Sequence, residues 1–144
     1  MKYSFGILKP DCVRRGLVDD AFTMVRKFDL EIILYKKTLL TVQDVEFLYS
    51  RCSAAPFFQN LVRFMTSGEV VVYLVRSSGE MCAIKALNKA TGYTDPLVAR
   101  PGTLRSMGTD VCENIAHSTS DQESFWAEVR HFLPGEVNAL KLES

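Results

Sequence analysis

Two residues eleven positions apart carry the first suggestion of chemistry in this chain: His117, in Asn114-Ile115-Ala116-His117-Ser118-Thr119-Ser120-Asp121, and Glu128 beyond it. The chain has two histidines, and this one sits among polar neighbours of the kind that surround a reactive imidazole. A neutral imidazole can attack phosphorus, and its ordinary pKa of about 6.5 leaves much of it neutral at cellular pH. Glu128 follows about three helical turns later, at ~3.6 residues per turn. If that helix folds back beside His117, the carboxylate can accept one ring N–H and leave the other nitrogen free to attack. The competing reading is an ordinary polar loop histidine, and only distant residues can displace it.

Two cations far from His117 are candidates for handling phosphate. Lys9 ends an apolar run, where a side chain can point into a site. Arg105 closes Arg100-Pro101-Gly102-Thr103-Leu104-Arg105. A guanidinium binds phosphate oxygens bidentately, and glycine lets backbone approach an anion closely. Thr94 adds a hydroxyl donor. Taken singly, each reads equally well as a group on a solvated loop. Phosphoryl transfer needs such a set, however: a nucleophile, cationic neutralisation, and little acid–base work from the protein. The chain contains no Walker A loop, no G-x-G-x-x-G and no kinase H-R-D motif, which excludes the common ATP-binding solutions. His131, beside Phe132, reads as a partly buried helix histidine rather than a ligand. Phe57-Phe58 after Pro56 start a helix and fill the core, or leave one ring exposed to stack on a base.

These residues must be positioned by an alternation of strands and helices. Tyr3 to Leu8 is a short apolar run that reads as a buried strand broken by Pro10. Asp19 or Asp20 can cap a helix whose Phe22, Val25 and Phe28 share a face. Leu30 to Leu40 is β-rich. A helical pattern starts at Thr41 with Val45, Leu48 and Tyr49, and a second runs from Phe57 to Met65, so the pair predicts a helical hairpin. Val70 to Val75 is the strongest strand signal. Glu80 to Ala90 reads as a helix ended by Gly92. Tyr93 to Gly108 carries Pro96, Pro101, Gly102 and Gly108, and loops of that length are usually functional. Val111 to His117 includes a last short strand. Ser120 or Asp121 then caps a helix bearing Phe125, Trp126, Val129 and Phe132, stopped by Pro134-Gly135. Without the hairpin and the last helix, the order is β-α-β-β-α-β, the ferredoxin-like pattern. The fold class expected is α+β: a four-stranded antiparallel sheet with helices on one face, a helical hairpin and a C-terminal helix.

Composition limits the function classes. At 144 residues, 47% of them hydrophobic, the chain suits one globular domain spanning 1–144. Its 17 basic and 17 acidic residues cancel, which argues against broad electrostatic binding of nucleic acid or membrane. Cys12, Cys52, Cys82 and Cys112 are widely spaced without a C-x-x-C pair, which fits reduced thiols in a cytoplasmic protein. Neither a signal peptide nor an apolar run of ~18–20 residues is expected.

Taken together, the residues resemble the nucleoside diphosphate kinase family, from about Phe5 to about Glu136. The matching segments are Gly6 to Asp11, Arg15 to Val18, Pro56-Phe57-Phe58, Met65 to Gly68, Arg100 to Arg105 and Asn114 to His117. The resemblance implies a ping-pong reaction, in which the γ-phosphate of a nucleoside triphosphate passes to His117 and then to a nucleoside diphosphate. It implies that Glu128 fixes the His117 ring, and that Lys9 and Asn114 hold the sugar hydroxyls and the phosphate-facing side. Phe57 would stack on the base, with Leu61 and Val111 packed near it, and Tyr49, Thr94 and Arg105 would make phosphate-side contacts. Mg²⁺ would arrive with the nucleotide phosphates rather than in a protein cage. A homo-oligomer is also implied, a hexamer first, with tetramer and dimer as alternatives.

Two departures stand out. The family carries Gly-Ser-Asp after its histidine, where this chain has Ser118-Thr119-Ser120-Asp121; Thr119 keeps a hydroxyl to help the histidine. A second phosphate-binding arginine of the family falls on Asn88, with Lys85 and Lys89 nearby. These departures motivate a second hypothesis, a catalytically weak nucleotide-binding or interaction domain on the same fold. A third, a ferredoxin-like RNA-binding module, predicts aromatic platforms on central strands and a basic face, and the sequence offers neither.

Overall fold

A computed structural model of the chain describes residues 1–143. In chain order the elements are β1 (Tyr3–Leu8), α1 (Pro10–Arg14), α2 (Val18–Arg26), β2 (Leu30–Thr38), α3 (Val42–Leu48), α4 (Phe58–Met65), β3 (Val70–Ser77), α5 (Ala83–Thr91), β4 (Ala116–Ser118), α6 (Gln122–Phe132) and α7 (Val137–Glu143). The four strands form one sheet in the order β2-β3-β1-β4, with every neighbouring pair antiparallel. This is the ferredoxin-like α+β arrangement expected from the sequence.

The helices cover both faces of the sheet, whereas one covered face was expected. All six residues of β1 are buried, as are the first six of β3. A strand buried on both sides reads as a continuous apolar run, which is why Val70 to Val75 shows no alternation. Tyr3, Phe5 and Ile7 pack with Leu61, Met65, Phe125 and Val129, beneath the hairpin and α6. Leu8, Val71, Tyr73 and Val75 pack with Phe22, Val25, Leu87 and Ala90, beneath α2 and α5. The hairpin and α6 therefore build the second layer. Gly6 lies opposite Tyr73, whose ring takes the space of a side chain: an added Cβ would stand 2.5 Å from Tyr73 Cζ.

Local chemistry explains most boundaries. Thr41 and Asp44 form a reciprocal capping box at the start of α3. Asp121, rather than Ser120, caps α6 by accepting from Ser124 N–H at 2.7 Å. Neither Asp19 nor Asp20 caps α2. The helix begins at Val18, and both aspartates lie in its first turn, where they face the positive end of the helix dipole. Pro10 starts α1 instead of ending the order there, because a first helical residue needs no N–H. Pro134-Gly135 stops α6 but the chain turns helical again in α7, whose Leu140 returns to the core. The last strand is only Ala116–Ser118. Ahead of it, Asp110 Oδ1 accepts from the N–H groups of Cys112 and Glu113, and that turn removes both from strand pairing.

Candidate functional site

His117 is the middle residue of β4 and lies opposite Ile7 of β1. Strand alternation sends Ala116 and Ser118 toward α5 and the His117 ring toward α3 and α6. There Nε2 stands 2.6 Å from Oε1 of Glu128, which is 6% exposed. A carboxylate only accepts, so in the neutral ring it selects the tautomer with the proton on Nε2. Nδ1 then keeps its lone pair and has no hydrogen-bond partner among the described residues. The Tyr49 ring stands edge-on to the imidazole, with centroids 6.1 Å apart.

His117 lines a cavity of about 490 Å³ that also holds Lys9, Tyr49, Thr94, Arg105 and Asn114. Lys9 is 4% exposed. Its Nζ donates to Asn114 Oδ1 at 2.7 Å and to the Cys112 carbonyl at 3.4 Å. Burial, reinforced by repulsion from Arg105, pushes its pKa down from 10.5 to about 8. The Asn114 amide donates to the carbonyls of Thr94 and Val111, which orients its oxygen toward Lys9. Arg105 donates from Nε to the Ala116 carbonyl at 3.2 Å and from Nη1 to the Gly92 carbonyl at 3.1 Å. Burial lowers its pKa as well.

Each nearby carboxylate has at least one oxygen engaged, although Asp11 Oδ1 has no partner among the described residues. Glu128 holds His117, Asp110 holds a turn, and Asp11 Oδ2 accepts from Ile115 N–H at 3.1 Å. A buried lysine and a half-buried arginine that repel each other make a cavity electrostatically suited to an anion. Among the described residues, no three His, Cys, Asp or Glu groups gather in an arrangement that could hold a metal ion.

The backbone beside the site is strained. Ile115 has φ +77°, a left-handed conformation unfavourable for a β-branched residue. It is clamped on both sides, its N–H by Asp11 and its carbonyl by Lys9 N–H at 2.7 Å. The segment Lys9-Pro10-Asp11 thus carries one cation and also fixes the turn that delivers Asn114 and His117.

At the other end the cavity is apolar and open. Phe57 is 54% exposed, with Leu61 and Val111 beside it, while its neighbour Phe58 is 7% exposed and faces the core. One ring fills the core and the other meets solvent, so the two sequence readings of Phe57-Phe58 apply to different residues. A flat ring can rest on Phe57 while its charged end lies between Lys9 and Arg105.

Ten of the twelve candidate residues gather here: Lys9, Tyr49, Phe57, Leu61, Thr94, Arg105, Val111, Asn114 and His117 on the cavity wall, with Glu128 behind the imidazole. Two do not. Thr119 is fully buried, its N–H bonded to the Phe5 carbonyl and its hydroxyl without a partner among the described residues, away from the cavity wall. Asn88 lies on α5 beside a separate cavity of about 1050 Å³, where it accepts a hydrogen bond from Ser118. Strand alternation explains Asn88, since Ser118, adjacent to His117, points to the opposite layer and meets it there; Thr119 lies just past the end of β4, where its N–H bonds to β1. Sequence reasoning missed Cys52, Asn60 and Cys112 on the wall, which carry no motif signal. It also assigned no role to Asp11, although the Lys9-Pro10-Asp11 segment contains it. His131 is partly covered, its ring stacked on Phe47 and its Nε2 2.7 Å from Asp44 Oδ1.

The fold and this cavity define a class: a ferredoxin-like α+β protein with a cavity cationic at one end and apolar at the other. The particular family follows from comparison. The family model described as nucleoside diphosphate kinase matches residues 2–137. A nucleoside diphosphate kinase of Streptomyces coelicolor is 36% identical over 136 residues, covering 93% of this chain and 97% of the relative. The apo nucleoside diphosphate kinase of Encephalitozoon cuniculi superposes with a TM-score of 0.87 at 27% identity, covering 95% of this chain and 92% of that one. That of Halobacterium salinarum, solved in complex with CDP, gives 0.83 at 28% identity, covering 92% and 87%. The chain belongs to the nucleoside diphosphate kinase family and is a phosphotransferase of that kind. No helix among the described residues is long and apolar enough to cross a membrane.

Proposed function

We propose that this protein moves the γ-phosphate of a nucleoside triphosphate, typically ATP, to a nucleoside diphosphate in two half-reactions through a phosphohistidine at His117. The observation that carries the proposal is the 2.6 Å contact between Glu128 and His117 Nε2, which leaves Nδ1 as the free nitrogen in a cavity that also holds Lys9 and Arg105. In the first half-reaction Nδ1 attacks the γ-phosphorus, an N–P bond forms, the bond from phosphorus to the β–γ bridging oxygen breaks, and the nucleoside diphosphate leaves. Glu128 stabilises the positive charge that the ring acquires. Arg105 and Lys9 neutralise charge on the phosphoryl oxygens, Tyr49 and Thr94 line the phosphate side, and Asn114 holds Lys9 toward the sugar. Phe57 supports the base with Leu61 and Val111, and stacking tolerates many bases because each offers a π face. The second half-reaction reverses these steps with a new diphosphate.

Mg²⁺ enters as part of the substrate, bound to the nucleotide phosphates, as the family resemblance implies. The CDP held by the Halobacterium salinarum relative supports a nucleotide as the ligand. Residues 1–144 act as one domain, and family resemblance supports a cytoplasmic homo-oligomer, a hexamer first. Sedimentation velocity decides the number.

Incubation with γ-labelled ATP gives an acid-labile, base-stable phosphoenzyme that His117→Ala abolishes. A wild-type protein that never labels overturns the proposal. It would favour the second reading, a nucleotide-binding domain of the same fold with weak turnover, for which the neutral Asn88 is the supporting observation.

A further inference from the structure

Four hydrogen bonds around the last turn of α5 close a circuit about His117. Asn88 Oδ1 accepts from the Ser118 hydroxyl at 2.8 Å. Gly92 N–H donates to the Asn88 carbonyl at 3.0 Å. The Gly92 carbonyl accepts from Arg105 Nη1 at 3.1 Å, and Arg105 Nε donates to the Ala116 carbonyl at 3.2 Å. Ala116, His117 and Ser118 are the whole of β4, so the circuit grips this strand on both sides of the histidine. The rest of its support in the sheet is three residue pairs with β1, at the sheet edge. A strand that short is held weakly by its own ladder. Gly92 adopts φ +89°, and a Cβ there would stand 2.6 Å from Thr103 Oγ1, so the turn that presents its carbonyl to Arg105 depends on glycine.

Asn88 itself is outside the cavity that His117 lines, and it acts from the opposite face of the sheet. It also lacks the charge to neutralise a phosphate. Among the described residues its side-chain oxygen has one partner, Ser118, the residue directly after the histidine. The two departures from the family pattern, Asn88 and Ser118, therefore touch each other. A glycine at 118 has no hydroxyl to donate, so this link exists only because both positions differ.

We propose that Asn88 is a positioning residue for phosphoryl transfer: through Ser118 it fixes His117 relative to Arg105, and so sets the nucleophile against the cation that neutralises the phosphoryl oxygens. The inference rests on the phosphohistidine reading above and extends it. Because Asn88 lies outside the cavity that holds His117, Lys9 and Arg105, it governs the rate of transfer rather than the strength of binding.

The test compares wild type, Asn88→Ala, Ser118→Ala and the double variant. Rapid-quench phosphoenzyme formation at saturating ATP reads the rate, calorimetry with ADP reads binding, and thermal melting shows that each variant is folded. Each single variant should slow phosphorylation about tenfold, since small misplacements of reacting groups are expensive. ADP affinity should stay within about twofold, and the double variant should be no slower than the singles, because either change breaks the same link. Ser118→Ala keeps the test alive if Asn88→Ala fails to fold. A single-variant rate within about twofold of wild type overturns the inference. So does weakened ADP binding at an unchanged rate, which would mean direct contact with the nucleotide, and so do losses that multiply in the double variant. A wild type that never labels overturns the phosphohistidine reading and this inference with it; a wild type that labels beside an equally fast Asn88→Ala overturns this inference alone.

Discussion

Glu128 Oε1 lies 2.6 Å from His117 Nε2, joining α6 to β4 across the layer boundary. The carboxylate accepts and cannot donate, so it determines which ring nitrogen is free. Glutamine at the same place can present either its oxygen or its amide, and the wrong tautomer becomes accessible. Glu128→Gln should lower kcat by about a hundredfold or more, by the same logic that disables a triad when its orienting acid becomes an amide. Nucleotide KM should change little. Steady-state kinetics check this, and a loss under about threefold contradicts it.

Lys9 makes binding and stability respond to pH in opposite directions. Burial and then Arg105 hold its pKa at about 8 in the fold, against 10.5. Between those values the unfolded chain keeps a proton that the folded chain has released. The contribution of Lys9 to stability therefore rises with pH across that window, by on the order of 3 kcal/mol. An anion in the cavity favours the charged ammonium instead. ADP affinity should be flat below about pH 8 and then weaken toward tenfold per unit. Calorimetry from about pH 7 to about 9.5 on wild type and Lys9→Met tests both trends, since the variant should lose the slope.

Phe57 and Phe58 should respond to truncation in opposite ways. Phe57→Ala removes an exposed ring from the cavity mouth, weakening nucleotide binding by ~1–3 kcal/mol while thermal stability stays nearly unchanged. Phe58→Ala empties a core position and costs ~3–5 kcal/mol of stability. Paired melting curves and ADP titrations separate the two roles. A comparable loss of binding in both variants, measured where each is folded, would contradict the assignment.

Asp11 is predicted to act through the backbone. Its Oδ2 holds the N–H of Ile115 at φ +77°. Asp11→Ala leaves that buried N–H unpaired, costs ~1–3 kcal/mol and lets the turn before His117 relax. Phosphoenzyme formation should slow in proportion. Asp11→Asn retains an oxygen acceptor and should preserve most of the rate, an outcome that a role resting on charge alone would not produce.

Much of the site was legible in the sequence because its residue types are unusual for their surroundings. A polar segment around His117, an arginine closing a proline- and glycine-rich loop, and Lys9 at the end of an apolar run all signal themselves locally. Helix starts were legible where a cap is made by side chains, as at Thr41 and Asp121. They were misplaced at α2, where no side chain caps and the aspartates lie inside the first turn. The second covered face escaped the reading because a doubly buried strand loses the alternation that would mark each side. Adjacency and resemblance associate Thr119 and Asn88 with His117, yet Thr119 is buried against β1 and alternation along β4 turns Ser118 to the α5 side, where it meets Asn88.

By itself, the sequence determined the nucleophile candidate, its glutamate, the cations and the order of elements, since residue chemistry and short-range periodicity are properties of local segments. Only the tertiary structure decided how those groups act. Lys9 meets Asn114 across 105 positions of chain, and Glu128 selects Nε2 rather than Nδ1. The low pKa of Lys9, the commitment of Asp11 to Ile115 and the circuit through Asn88 arise from the same packing. Burial and directional hydrogen bonds depend on what else occupies the space around a group, and that space is created when β4 pairs with β1.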